Sequence, residues 1–517
     1  MGLARRFLTV SGLTASSRIL GVVREAAFSH FLGAGVEMDA FLIAYKFPSF
    51  FRKFFSEGGF QSIFVPFYSD FTEAHKYKAA QYFSSRIFRI ILFITIIVTL
   101  LVVVFANEFV LIMAPGFVND PEKLSLATEF TKIIFPSVIF IAISSVYSGI
   151  LMSHRQFFLF TMWPILGNLI LIASLFMGQD LMSAARRLSY GVLIAGLSQF
   201  CYSWWSARRC SSGIPFSFRI KITKRMRDFL RKLPNVLASA GISQINIFLD
   251  SLFGSIMPTG VISYIYFADR FIQFPLALFG ISMGVILVPE ISKRMRQEST
   301  NGVNKVQNEA IALTLRMTLP AVIVFLSLAH PLISILYGHG KFSGASVDRT
   351  ANVLRVFSIG LPAYVVAKIM SSALLAQKDS KTPITATLVA VSSNIILSVL
   401  LMFPLQEIGI AIATSVSGFV NVYVMYKKSK SFTFMDMPFI RSMRKVLLSS
   451  FIMFIFIEVM KIIIKDPDDV CLRTMMLIFI IIVGLISYLI TLLILGDDIL
   501  KFSIATLKKK FMKKKGE

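Results

Sequence analysis

The chain has 517 residues, of which 56% are hydrophobic and only 16% charged, with Phe alone contributing 50. A water-soluble protein of this length needs a larger polar surface, so disordered, fibrous and soluble multidomain architectures are excluded. The formal net charge is +25, from 53 Lys and Arg against 28 Asp and Glu. These basic residues sit in short stretches between apolar runs, where they report membrane topology rather than nucleic-acid binding.

Continuous apolar runs predict fourteen membrane-spanning helices, at about 8–32, 39–66, 86–106, 130–152, 158–177, 188–207, 230–256, 262–289, 311–336, 353–376, 384–404, 407–426, 446–464 and 472–495. The runs do not alternate, and only helices or closed barrels satisfy the backbone in lipid, so strands are not expected. The first run contains Arg18 and Arg24 and lacks a small-residue cleavage site, so the first helix is expected to be retained. Basic loops recur on one side: Lys76 and Lys78, Arg155, Lys293 to Arg296, Lys378 and Lys381, Lys427 to Lys430, and the tail Lys508 to Lys515. The positive-inside rule then places both termini in the cytoplasm.

A shift of 226 residues lays Pro136 on Pro362, Arg155 on Lys381, Thr161 on Thr387 and Asn168 on Asn394. It carries helices 4–5 onto helices 10–11, an even displacement, so the copies share one orientation. Such parallel repeats are the kind whose halves rock about a central cavity. The expected fold class is an all-α polytopic membrane protein, with two six-helix lobes in a parallel pseudo-repeat plus two C-terminal helices. The expected division is 1–207 for the N-lobe, 208–232 for a basic cytoplasmic linker, 233–430 for the C-lobe and 431–517 for helices 13–14 and a basic tail. Within the linker, Phe218, Ile220 and Ile222, then Met226, Phe229 and Leu230, would permit an amphipathic helix at the membrane surface, against the plainer reading of a solvated linker.

Charges inside spans cost ~2.5–3.5 kcal/mol each on insertion scales and by default mark pathways. Helices 1 and 2 hold Arg18, Arg24, Glu25, Asp39, Arg52 and Glu57, and helix 8 holds Asp269 and Arg270. Four guanidiniums, Arg18, Arg24, Arg52 and Arg270, exceed what local acids neutralise. Guanidinium is planar, permanently charged and bidentate, which suits a diphosphate. An anionic, phosphate-bearing substrate is expected in a shared cavity, with Asp39, Glu57, Glu25 and Asp269 as charge partners when it is empty. Gly21, Gly58 and Gly59 are candidate hinges. Asp250, Asn394 and Thr414 could supply oxygens to a cation, against the plainer reading that single polar residues in spans bond neighbouring helices. Three scattered cysteines, Cys201, Cys210 and Cys471, suggest neither disulfides nor zinc. No Walker motif and no divalent-metal carboxylate cluster appears within a span.

The stretch Ser17-Arg18-Ile19-Leu20-Gly21-Val22-Val23-Arg24-Glu25 and the block Phe51-Arg52-Lys53-Phe54-Phe55-Ser56-Glu57-Gly58-Gly59-Phe60 resemble the MurJ (MviN) family of lipid II flippases. So do Phe64-Val65-Pro66, Tyr266-Phe267-Ala268-Asp269-Arg270 and Phe274-Pro275-Leu276-Ala277-Leu278-Phe279-Gly280. The resemblance implies the multidrug/oligosaccharidyl-lipid/polysaccharide exporter fold and a role for the four arginines, Asp39 and Glu57 in substrate handling and gating. It further implies a groove of helices 13 and 14 for a polyprenyl tail. The implied function is translocation of lipid II, an undecaprenyl-diphosphate-linked disaccharide peptide, across the bacterial inner membrane by alternating access, without enzymatic chemistry. No cofactor is expected; some relatives have a sodium site in the second lobe, and here Ser398 stands where such a site can carry a carboxylate. Expected partners are lipid II, membrane lipids and cell-wall synthesis proteins, with no nucleic acid. The alternatives are a flippase for another polyprenyl-diphosphate oligosaccharide and a drug/cation antiporter of the same superfamily; the arginine excess opposes the antiporter.

Overall fold

The computed structural model describes residues 3–56, 59–154, 156–177, 183–209, 223–242, 245–296, 300–429, 437–464 and 469–497. Among them the chain is helical throughout, with no strand. The helices in chain order are α1 (Leu3–Leu32), α2 (Val36–Ser56), α3 (Gly59–Glu73), α4 (Tyr77–Val104), α5 (Ala106–Met113), α6 (Pro121–Ile134), α7 (Ser137–Ser153), α8 (Phe157–Phe176) and α9 (Ala184–Arg209). They continue as α10 (Lys224–Ile242), α11 (Ile245–Ile256), α12 (Val261–Pro275), α13 (Ser282–Arg296), α14 (Thr300–Tyr337), α15 (Gly344–Ala376), α16 (Lys381–Lys428), α17 (Met437–Ile463) and α18 (Val470–Ile494). Nine helical segments among the described residues are long and apolar enough to cross a membrane, α4 and α18 being the most apolar. The protein is an all-α, multi-pass membrane protein.

Each predicted span falls on one helix or on a broken pair, and the breaks have local causes. The fourth span divides into α6 and α7 at Phe135-Pro136, where proline removes a backbone donor. The eighth divides after Pro275, and Leu276–Ile281 forms a π-turn, a widened coil that in helices accompanies functional sites. Spans eleven and twelve are two helices joined directly within α16, where the chain leaves helical geometry at Gln406 with φ 49° and ψ −127°. That left-handed residue is held from α15: Arg349 donates to the Gln406 side-chain carbonyl and forms an ion pair with Glu407 at 2.7 Å.

The described residues group into two compact units. The first runs to Ser263 and includes His339–Ser343; the second comprises Tyr264–Gly338 and the chain from Gly344 onward. Within the first, α11 packs through Phe248 against Phe47 of α2, their rings 5.8 Å apart. Gly116 lies so close to Ser255 of α11 that a Cβ there would meet its carbonyl oxygen at 2.1 Å. Only glycine allows that approach.

The core of the first unit is aromatic. Phe60, Phe64, Phe83 and Phe229 are each almost fully buried, and Phe229 of α10 meets the rings of Phe60, Phe64, Phe67 and Phe83 edge-on at 5.8 to 6.5 Å. Edge-to-face pairs add to the burial itself. Met226, one turn earlier, is equally buried, while Arg225 and Lys232 lie over the rings of Phe71 and Phe67 at 4.5 and 5.1 Å. The apolar spacing expected in the basic linker thus anchors α10 onto α3 and α4 rather than onto the membrane surface; residues 210–222 of that linker lie outside the described residues. At the end of α9, Trp204 and Trp205 carry Arg208 and Arg209 over their rings at 4.2 and 3.8 Å. That pairing suits the headgroup level of a bilayer.

Replacing Phe229 with Ala should destabilise the protein by about 3–5 kcal/mol, the usual cost of emptying a buried aromatic site. Thermal unfolding of the purified protein should show a clearly lower midpoint for Phe229→Ala. The exposed Arg231→Ala, two residues away on the same helix, should leave it unchanged.

Candidate functional site: a cationic cavity in the first unit

A cavity of about 530 Å³ opens among α1, α2, α3, α7, α8 and α9. Its walls are largely apolar, with Pro48, Trp163 and Leu171 among them. Two guanidiniums line it, Arg24 of α1 and Arg52 of α2, together with the side chains of Tyr45, Gln61, Asn168 and Gln199. A single apolar cavity with a few convergent polar groups is the default form of a ligand site.

Arg24 is 9% exposed, and its fork is fixed on both sides. One terminal nitrogen donates to Asn168 Oδ1 of α8 at 2.8 Å, and the other pairs with Glu25. Asn168 is oriented in turn by donating its amide to the Ser17 carbonyl at 3.1 Å, which ties α8 back to α1. The face of Phe28 lies 5.5 Å from the guanidinium carbon. Gly21, one turn before Arg24, borders the cavity, and a Cβ there would meet nothing within 4 Å. Gln61 of α3 donates to the Ser145 carbonyl at 3.2 Å, while its own Oε1 is buried without a hydrogen-bond partner. That leaves a buried acceptor on a cavity-lining residue without a protein donor.

The other sequence-selected residues are distributed differently. Arg18 is exposed and is not part of this cavity lining. On an ideal helix it points about 120° away from Arg24, and α1 is helical through Gly21. Glu57 and Gly58 lie outside the described residues; Gly59 begins α3, where a Cβ would come within 2.9 Å of Phe54. Asp39 stands at the opposite end of α2 from Arg52, almost fully buried. It accepts hydrogen bonds from the Gly260 amide at 2.7 Å, the Ser263 amide at 3.1 Å and the Ser263 hydroxyl at 2.6 Å. Those donors are the open first turn of α12, so a carboxylate of one helix caps the positive end of another.

In the second unit Arg270 lies over the ring of Tyr266 at 4.3 Å, and Asp269 accepts from Gln273 at 3.1 Å, one turn along the same helix. Asn394 donates to Thr414 at 3.3 Å and accepts from Ser398 at 2.9 Å, a bond between neighbouring spans. Asp250 is half-buried on α11 in the first unit. Among the described residues, no group of three or more His, Cys, Asp or Glu side chains is placed to hold a metal. Sequence reasoning passed over Asn168, Gln61 and Gln199, because a lone amide in an apolar span looks like a helix-packing contact. The one available signal for Asn168 was its place in the internal repeat.

A helical, multi-pass bundle carrying an arginine-lined cavity defines a membrane carrier for an anionic solute. Its fold recurs in an inward-facing multidrug resistance MATE family transporter of the MOP superfamily, with a TM-score of 0.64 at 15% identity over 80% of this chain and 94% of that one. A solved structure described as "Lipid II flippase MurJ, inward closed conformation" is more similar, with a TM-score of 0.81 at 28% identity, covering 95% of this chain and 99% of that one. The protein described as "Probable lipid II flippase MurJ" from Rhizobium meliloti (strain 1021) is 33% identical over 433 residues, 82% of this chain and 80% of that protein. Its namesake from Rickettsia prowazekii (strain Madrid E) is 32% identical over 429 residues, covering 83% of this chain and 84% of that protein. The family profile "Lipid II flippase MurJ" matches residues 28–466, and the chain belongs to that family.

Substitutions at two positions test this geometry. Asp39→Ala strands three buried donors, and at about 1–3 kcal/mol for an unsatisfied group it should lower the unfolding midpoint markedly; Asp39→Asn, which keeps one acceptor, should lower it less. Arg24→Lys keeps the charge but cannot reach Asn168 and Glu25 together. It should lower transport by about 10- to 100-fold, the value of a lost charged hydrogen bond, at unchanged abundance in the membrane.

Proposed function

We propose that the protein carries lipid II from the cytoplasmic to the outer face of the bacterial inner membrane by alternating access, and that it performs no covalent chemistry. The observation that carries this reading is the buried, two-sided fork of Arg24, with Arg52, in a cavity whose walls are largely apolar. In such surroundings a guanidinium pair binds a diphosphate far more strongly than it would in water. Arg18 and Arg270 enter the proposal as further contacts to the substrate anion during the cycle, with Glu25, Asp39, Glu57 and Asp269 as their exchange partners. Both termini are cytoplasmic on this reading, residues 1–207 and 233–430 form the two lobes, and α17 and α18 receive the polyprenyl tail.

The membrane potential is the proposed driver. A cell interior held negative favours outward movement of the diphosphate by ~2.3 kcal/mol per charge per 100 mV crossed. The same field draws the empty, positively charged cavity back inward. Sodium is the competing driver, through Asp250, Asn394 and Thr414; the hydrogen bonding of Asn394 to Thr414 and Ser398 favours a packing role for two of them.

Depletion of the protein in cells should trap lipid II at the inner face, beyond reach of an outer-face probe, and re-expression should restore access. Unchanged outer-face lipid II on depletion would contradict the flippase reading. Collapsing the potential while keeping the pH gradient should slow flipping; undiminished flipping, or strict dependence on sodium, would replace the potential with an ion-coupled cycle.

A further inference from the structure

The second unit holds a separate pocket of about 270 Å³ between α14, α15, α17 and α18. It shares no residue with the cavity of α1, α2 and α8. One wall is apolar, made by Leu328, Ile464, Met476, Leu477 and Ile480. The other is basic, made by Arg355, Lys461, Arg473 and His330.

The basic wall is built around a break in α14. Leu328 leaves helical geometry, with φ −113° and ψ 18°. Pro331 has no amide hydrogen, so the Ser327 carbonyl, four residues earlier, loses its helical donor. Lys461 of α17 supplies one instead, its ammonium 3.0 Å from that carbonyl. Ser327 also lines the pocket; it is 4% exposed, and its hydroxyl has no hydrogen-bond partner. Arg355 is steadied by Asn352 at 2.6 Å. The nearby acids sit at the margin: Glu458 pairs with Lys461 at 2.9 Å, and Asp348, 67% exposed, lies 3.3 Å from His330. Arg355, Lys461 and Arg473 thus bring three permanently cationic side chains to one wall of the pocket.

We propose that this pocket binds the phosphate group of a membrane lipid. Arg355, Lys461, Arg473 and the Ser327 hydroxyl would hold the phosphate oxygens, and the apolar wall would take the first part of an acyl chain. Guanidinium and ammonium together match a phosphate, and a buried hydroxyl lacking a partner completes the donor set. Around the pocket, α17 and α18 present Ile462, Ile463 and Met475 at 62 to 82% exposure, side chains that belong against lipid. These lipid-facing neighbours favour a lipid over a free phosphate ion of the same chemistry. The site is independent of the transport cavity, and its occupant would brace the α17–α18 hairpin against α14 and α15.

Native mass spectrometry of the full-length protein in neutral detergent separates the sources. The probes are dioleoylphosphatidylglycerol, dioleoylglycerol as the same chains without phosphate, and inorganic phosphate. Phosphatidylglycerol should bind at least about tenfold more tightly than dioleoylglycerol, the value of one good charged contact. The Arg355→Gln/Arg473→Gln double variant should lose that preference. Ser327→Ala, which removes only a hydroxyl, should weaken phosphatidylglycerol by a few fold and serves if the double variant does not fold. Equal affinity for phosphatidylglycerol in the wild type and the folded variants would overturn the site. Binding of inorganic phosphate with no preference for phosphatidylglycerol over dioleoylglycerol would overturn its assignment to a lipid.

Discussion

A permanently charged guanidinium cannot sit in an apolar bundle without partners, and Arg24 is where this protein meets that constraint. Its ring of partners, Asn168 on one side and Glu25 on the other, draws α8 onto α1 and fixes the direction of the fork. The pair with Glu25 offsets the charge without closing the site, because Arg52 adds a second cation on the same cavity wall. The empty cavity is thus held by the protein's own partners of Arg24. A substrate anion can exchange with protein partners instead of entering against an unpaired charge, the more costly alternative in low dielectric.

The same economy of partners recurs elsewhere in the chain. Asp39 is taken up entirely by the open turn of α12. Arg316 of α14 is buried against Asp497 at 2.9 Å and also reaches Ser442 of α17, and the Tyr488 hydroxyl of α18 donates to the Arg316 carbonyl at 2.9 Å. That network fastens the two C-terminal helices to α14 within the second unit. Each buried charge links helices distant in sequence, so these charges specify packing as well as serving the cavity.

Much of this was legible from the residues. Continuous apolar runs located the membrane-crossing helices, because length and hydropathy alone decide what can cross a bilayer. The breaks at Pro136 and Pro275 follow from proline chemistry. Charge excess in helices 1 and 2 pointed to Arg24 and Arg52 before any geometry was known. What the pattern could not provide was direction around each helix: Arg18 and Arg24 share a span, yet only Arg24 faces the cavity. Partners remote in sequence were equally hidden. Asp497 reads as a helix-end acid and Arg349 as a loop cation, whereas the first is buried on Arg316 and the second holds the turn of α16 through Glu407.

The central claim is that the Arg24 and Arg52 guanidiniums recognise a lipid-linked diphosphate. The most direct measurement is the affinity of the purified protein for undecaprenyl diphosphate against undecaprenol, in the wild type and in the Arg24→Lys/Arg52→Lys variant. The wild type should prefer the diphosphate by about 100-fold or more, as two charged bidentate contacts allow, and the folded variant should retain only a small part of that preference. An undiminished preference in the variant would contradict the account, because the charges would then suffice without the forks or the diphosphate would be bound elsewhere.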